Sequence, residues 1–134
     1  MKNLFDHSNS LQTARQMQKK ALCFYSKFPV GASVQTKDDK IIGGFNIESA
    51  SYGLTICAER VAIFSALTQG HQDFIHITLV TDTGSFPCGA CRQILYEFCP
   101  KAHITIATQT EIINTIPIGN LMPHAFNKED IERQ

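Results

Sequence analysis

Apolar positions recur close to the α-helical period at Leu11, Ala14, Met17, Ala21 and Leu22, and Ser8 or Ser10 can cap the stretch, which predicts a helix reaching about Lys27. The period then drops to two. Val30, Ala32 and Val34 alternate with Gly31, Ser33 and Gln35, and the polar turn Lys37 to Lys40 leads into Ile41 to Ile47, which predicts a β-hairpin. Gly43 and Gly44 inside its second strand predict a bulge or a close backbone approach. From Thr55 to Gln69 the small residues Ala58, Ala62, Ser65 and Ala66 suit a helix packed close to a sheet, with Gly70 as its stop. Phe74 to Thr81 is almost continuously apolar or β-branched, broken only by His76, which predicts a central strand covered on both faces. Pro87 stands where a third helix would begin, and that helix runs over Cys88 to Cys99 until Pro100 ends it. His103 to Ala107 and Glu111 to Ile116 read as two more short strands. Ile118 to Phe126 is an apolar, proline-punctuated stretch before the charged tail Lys128 to Arg133. The order α-β-β-α-β-α-β-β with a short end helix predicts an α/β fold, a three-layer α/β/α sandwich around a mixed sheet of about five strands.

At 134 residues the chain is close to the size of one domain, and 1–134 is read as a single unit. No stretch approaches the ~20 apolar residues of a membrane span, so no membrane partner is expected. Twelve basic residues balance twelve acidic ones, and the chain lacks the basic excess that phosphate backbones attract; no nucleic-acid partner is expected. Charged residues make up 18%, below the ~25% of typical domains, which points weakly to surface buried between subunits. Met1 to His7 carries no apolar export segment, so the expected location is the cytoplasm.

Five cysteines is an odd number for a disulfide framework, and three of them are spaced for metal binding. Cys57 opens the second predicted helix, and Cys88 and Cys91 open the third. Helix N-termini favour anionic sulfur, and a Cys-x-x-Cys pair presents two thiols on one face, as zinc requires. Three protein ligands leave one tetrahedral position open, which suits catalysis. Glu59 lies two residues from Cys57, about 200° around a helix, so it stands beside the metal as a proton carrier rather than a ligand if the helix points end-on. Arg60 returns to the cysteine face and offsets thiolate charge. Two other readings stay open on the residues alone: a redox pair at Cys88 and Cys91, and a structural zinc whose fourth ligand comes from Cys23, Cys99 or a histidine. Cys23 and Cys99 are expected as packing residues, and His7, His71, His76, His103 and His124 carry no catalytic assignment.

Cys57-Ala58-Glu59 followed by Pro87-Cys88-Gly89-Ala90-Cys91 resembles the signature of zinc-dependent nucleoside and nucleotide deaminases. Tyr25-Ser26-Lys27-Phe28-Pro29-Val30-Gly31-Ala32, Asn46-Ile47-Glu48 and Leu121-Met122-Pro123-His124-Ala125-Phe126 extend the likeness over nearly the whole chain to the small homotetrameric cytidine deaminases. The resemblance implies one Zn²⁺ per subunit on Cys57, Cys88 and Cys91, with Glu59 as the proton shuttle. It also implies Asn46 and Glu48 on the ribose hydroxyls, Phe28 against the pyrimidine and Ala58 offering backbone contacts to the base. Phe126 is then an aromatic lent to a neighbouring subunit's pocket, in a homotetramer. The implied reaction is hydrolytic deamination of cytidine and 2′-deoxycytidine to the uridine nucleosides with release of ammonia, in pyrimidine salvage. The alternatives are the same chemistry on another aminopyrimidine nucleoside such as a nucleoside antibiotic, and a non-enzymatic zinc module.

Overall fold

The computed structural model describes residues 6–132; Met1 to Phe5, on which most of the export reading rests, and Arg133 at the end of the charged tail lie outside the described residues. Five strands form one mixed sheet: β1 (Gly31–Thr36), β2 (Ile41–Phe45), β3 (Phe74–Val80), β4 (His103–Ala107) and β5 (Ile112–Pro117), in the order β2-β1-β3-β4-β5. β1 is antiparallel to both β2 and β3, so those two run the same way. Helix α2 (Ala58–Thr68) follows β2, and helix α3 (Gly89–Phe98) crosses from β3 to its parallel neighbour β4. Both helices therefore begin at the same end of the sheet, beyond the carboxyl ends of their strands, where open α/β sheets place their sites.

The even-numbered face of the hairpin builds the main core. Ala32, Val34, Ile77, Leu79, Ile104 and Ile106 pack beneath Ala62, Ile63, Ala66, Leu95 and Cys99. The expected glycine pair marks a close approach and not a bulge, because the β1–β2 register runs unbroken through both residues. A Cβ on Gly44 would lie 2.5 Å from the Ala62 backbone nitrogen, which shows how tightly α2 is laid on β2. Gly70, with φ +91°, stops α2 as expected.

Helix α1 (Ser8–Gln18) covers the other face. It is shorter than the apolar spacing predicts. Its N-cap is His7, without a side-chain cap bond, while Asp6 Oδ1 accepts from the Ser8 amide. Ser10 is not a cap but a buried contact, its hydroxyl donating to Gln35 Oε1 at 2.9 Å. The helix stops at Gln18 because the chain is next recruited by the sheet: Leu22 bridges Ile47 in parallel, and the Leu22 amide donates to the Asn46 carbonyl at 3.0 Å. Lys27, expected in the helix, has φ +59° in a turn. The alternating polar residues of β1 are likewise not solvent-facing. All six residues of the strand are buried, with Ser33 Oγ donating to the Ser10 carbonyl at 2.8 Å.

His76, the single polar break in the central strand, lies on this second face. Its ring stacks on His7 with centroids 3.6 Å apart, and Nε2 pairs with Thr105 Oγ1 at 2.8 Å. Burial pushes the imidazole down to about 3, so it is neutral at neutral pH. Among the described residues no helix is long and apolar enough to cross a membrane.

Candidate active site

Cys57 is the N-cap of α2 and Cys88 the N-cap of α3, both with extended backbone, so each thiol projects from a helix end rather than from its side. The helices start slightly later than the sequence spacing predicts, at Ala58 and not Thr55, and at Gly89 and not Cys88. Thr55 closes a 3-10 turn (Tyr52–Leu54) instead. This shift produces the end-on geometry. Cys91, one turn into α3, is buried and faces the same point, and the three sulfurs lie within 4.8 Å of one another. No other His, Cys, Asp or Glu among the described residues joins the group. Neither Cys23, half-buried, nor Cys99, buried in the core, supplies a fourth ligand.

The donor set fits zinc. Tetrahedral Zn–S bonds of ~2.3 Å separate sulfurs by about 3.8 Å, and Cys57 Sγ stands 4.0 Å from Cys88 Sγ. The electrostatics fit as well. The Cys57 thiol is held well below its usual range, first by hydrogen bonding with Cys91 and further by Arg60, whose Nη2 donates to Cys57 Sγ at 3.4 Å. Cys91 is pushed up by the same hydrogen bond and by burial. Two helix N-termini and a guanidinium thus surround a cluster able to carry thiolate charge.

Glu59 is 4% exposed. Burial pushes its carboxyl up to about 7, against a hydrogen bond from its own backbone amide and with a further push from Cys57. Ala58, between Cys57 and Glu59, is fully buried. Arg92 braces the metal loop, its Nε donating to the Pro87 carbonyl at 2.8 Å and its Nη1 to Leu121 O at 3.3 Å. Nothing in the spacing along the chain marks Arg92 for this task, since neither carbonyl is visible as its partner from sequence.

Asn46 and Glu48 leave β2 on the segment that runs toward α2. Asn46 is buried and holds the loop before β1 at two points: Oδ1 accepts from the Val30 amide and Nδ2 donates to the Phe28 carbonyl, both at 2.9 Å. Glu48 is half-buried and accepts from the Tyr25 and Ser26 amides at 2.9 and 3.0 Å, and from the Ser26 hydroxyl. Phe28 is 39% exposed, so its ring is not a core residue, and Phe126 is 57% exposed, anchored by its carbonyl to Gln93 Nε2 at 2.7 Å. A cavity of about 360 Å³ beside Glu48 is lined by Tyr25, Ser26, Tyr52 and Thr55. Neither Glu59 nor a thiol lines it.

Residues 5–107 match the family model for the cytidine and deoxycytidylate deaminase zinc-binding region. A cytidine deaminase of Halalkalibacterium halodurans is 42% identical over 129 residues, covering 94% of this chain and 98% of its own length. One from Sporosarcina psychrophila is 38% identical, with 94% and 95% covered. The crystal structure of cytidine deaminase from Burkholderia pseudomallei superposes with a TM-score of 0.85 at 38% identity, over 91% of this chain and 100% of that one. Sequence, sheet order and the clustered thiols lead to one assignment: this chain belongs to the zinc-binding cytidine and deoxycytidylate deaminase family.

Proposed function

We propose that the protein hydrolyses cytidine and 2′-deoxycytidine to uridine and 2′-deoxyuridine with release of ammonia. The observation that carries the reading is the convergence of Cys57, Cys88 and Cys91 at two helix ends, with the buried Glu59 one residue past Ala58. Cys57, Cys88 and Cys91 would hold one Zn²⁺ per subunit. Bound there, the metal supplies Lewis acidity that makes water a nucleophile near neutral pH. Glu59 takes a proton from the adding water and delivers it to ring N3, while the water oxygen bonds to C4. Glu59 then takes the remaining hydroxyl proton and passes it to the amino nitrogen; the C4–N bond breaks, ammonia leaves and the C4 carbonyl forms. Arg60, donating to Cys57, tempers the thiolate charge that would otherwise weaken the metal. Asn46 and Glu48 receive the ribose hydroxyls, and Phe28 lies against the pyrimidine with Ala58 offering its backbone.

The active unit is a homotetramer in which Phe126 completes a neighbour's pocket, a reading supported by that ring's exposure. Five free cysteines suit a reducing compartment, so the reaction belongs to the cytoplasm and to pyrimidine salvage. Ultraviolet absorbance of cytidine with zinc-loaded protein, beside Glu59→Ala at matched zinc content, tests the chemistry. Wild type is expected to convert cytidine to uridine, and the variant to be slower by at least ~10²-fold with its zinc retained. Zinc loss in the variant would make Glu59 a ligand and overturn its role. Zinc-loaded wild type inert toward cytidine would overturn the substrate, and aminopyrimidine antibiotics would be assayed next.

A further inference from the structure

The half-buried carboxylate of Glu48 is held by a single short segment. Its Oε1 accepts the Tyr25 and Ser26 amides, and its Oε2 accepts the Ser26 hydroxyl. Ser26 Oγ does a second thing. It accepts from the Phe28 amide at 3.0 Å, while the Phe28 carbonyl is taken by Asn46 Nδ2 at 2.9 Å. A hydroxyl has one proton and two lone pairs. Ser26 spends the proton on Glu48 and a lone pair on the backbone that carries the Phe28 ring. Of the roughly four acceptor directions on a carboxylate, three are filled from the loop, which leaves one, on Oε2, for a ligand. The Glu48 carboxyl is also held below its usual range, most strongly by the Ser26 hydroxyl, so it remains an acceptor in the acid range where a free carboxylate begins to protonate.

We propose that Ser26 is a positioning residue for nucleoside recognition: its hydroxyl links Glu48 to the Phe28 backbone and aims the one free acceptor of the carboxylate at a ribose hydroxyl. The Phe28 amide fixes the hydroxyl, and the hydroxyl in turn fixes the carboxylate that meets the sugar. The inference rests on the reading that Glu48 receives a ribose hydroxyl, and it goes beyond that reading by naming the residue that fixes its direction. The expected signature is a loss of binding that depends on the sugar hydroxyls.

Ser26→Ala and Ser26→Thr are compared with wild type as zinc-loaded proteins, measuring kcat and KM for cytidine and the inhibition constant of 2′,3′-dideoxycytidine. Ser26→Ala is expected to raise KM for cytidine about tenfold with kcat within about twofold, while the dideoxynucleoside constant and the zinc content stay within about twofold. Ser26→Thr, which keeps a hydroxyl, is expected to recover most of the loss. Equal weakening of both nucleosides would reduce Ser26 to loop packing and overturn the proposal, as would an unchanged KM. A double-mutant cycle with Glu48→Ala gives an independent readout: the Ser26→Ala effect on KM is expected to vanish in the Glu48→Ala background, and an additive cycle overturns the link. Wild type that fails to deaminate cytidine would instead bring down the reading on which the proposal rests.

Discussion

His76 shows what one side chain costs and contributes when a polar residue is built into a central strand. It is 1% exposed, it is stacked under His7, and His103 sits beside it in the parallel register of β4. A proton added to the ring would place a cation in a buried position, and this burial is the first reason that the imidazole is pushed down to about 3. The unfolded chain takes that proton near the ordinary histidine range of about 6.5. The folded protein refuses it until about pH 3. Its share of stability is therefore complete above about pH 6.5 and drains as the pH falls, by up to ~1.4 kcal/mol per pH unit. Urea unfolding of zinc-loaded wild type and His76→Gln between about pH 7.5 and about pH 5 isolates this, because glutamine can still reach Thr105 and does not titrate. Wild type is expected to lose more stability over that window than the variant; parallel losses would show that His76 does not carry the acid sensitivity. The chain's pattern marks His76 only as an interruption. The stack beneath His7 is invisible to it, since the two residues lie far apart in sequence.

The elements themselves were largely legible, and the failures share a cause. Both helices that start at the thiols, all five strands and the sheet's mixed character follow from hydrophobic period and from Gly70, Pro87 and Pro100 as punctuation. The predicted overrun of α1 to Lys27 fails because local periodicity cannot register a competitor elsewhere in the chain: Leu22 finds a better partner in Ile47 than in another helical turn. In β1 the alternation is read correctly as a strand, yet its polar residues are buried because α1 lies directly on them. Gly44 is the element-scale counterpart. With its Cβ position 2.5 Å from Ala62 N and 2.8 Å from Ala58 O, both backbone atoms, Gly44→Ala must lift the first turns of α2 from the sheet. Those turns carry Cys57 and Glu59. The variant is expected to lose ~1–3 kcal/mol of stability and to surrender zinc to a chelator sooner than wild type. Gly53→Ala, where nothing lies within 4 Å, serves as the control. Thermal unfolding and chelator competition that fail to separate the two variants would dismiss the tight seat of α2.

At the scale of the whole molecule, the candidate site sits at the edge of an apolar surface that a solitary chain leaves in water. Leu22 and Ile47 are bridged and both partly exposed; Phe24 extends from the same loop, and Tyr25 packs edge to face on Tyr52, centroids 5.5 Å apart, with Leu54 two residues on. Tyr52 is 73% exposed and Leu54 69%. Contiguous exposed aromatic and aliphatic residues of this kind are rare on monomers and mark association surfaces. The zero net charge adds no repulsion between copies. The sequence suggests association only faintly, through its low charged fraction, because exposure is a property of the fold and composition cannot report it. Tyr25, Ser26 and Glu48 line the cavity bordered by Tyr52, so a neighbour covering Tyr52 would close the side of the site that a lone subunit leaves open. Zinc-loaded protein at assay concentration is therefore expected to scatter light with a mass near four times 14.9 kDa. On serial dilution, specific activity is expected to fall together with that mass, as subunits separate and the sugar side of the pocket opens. A monomeric mass accompanied by undiminished turnover would mean that each chain finishes its own pocket, and would remove Phe126 and the Tyr25–Tyr52 surface from the catalytic unit.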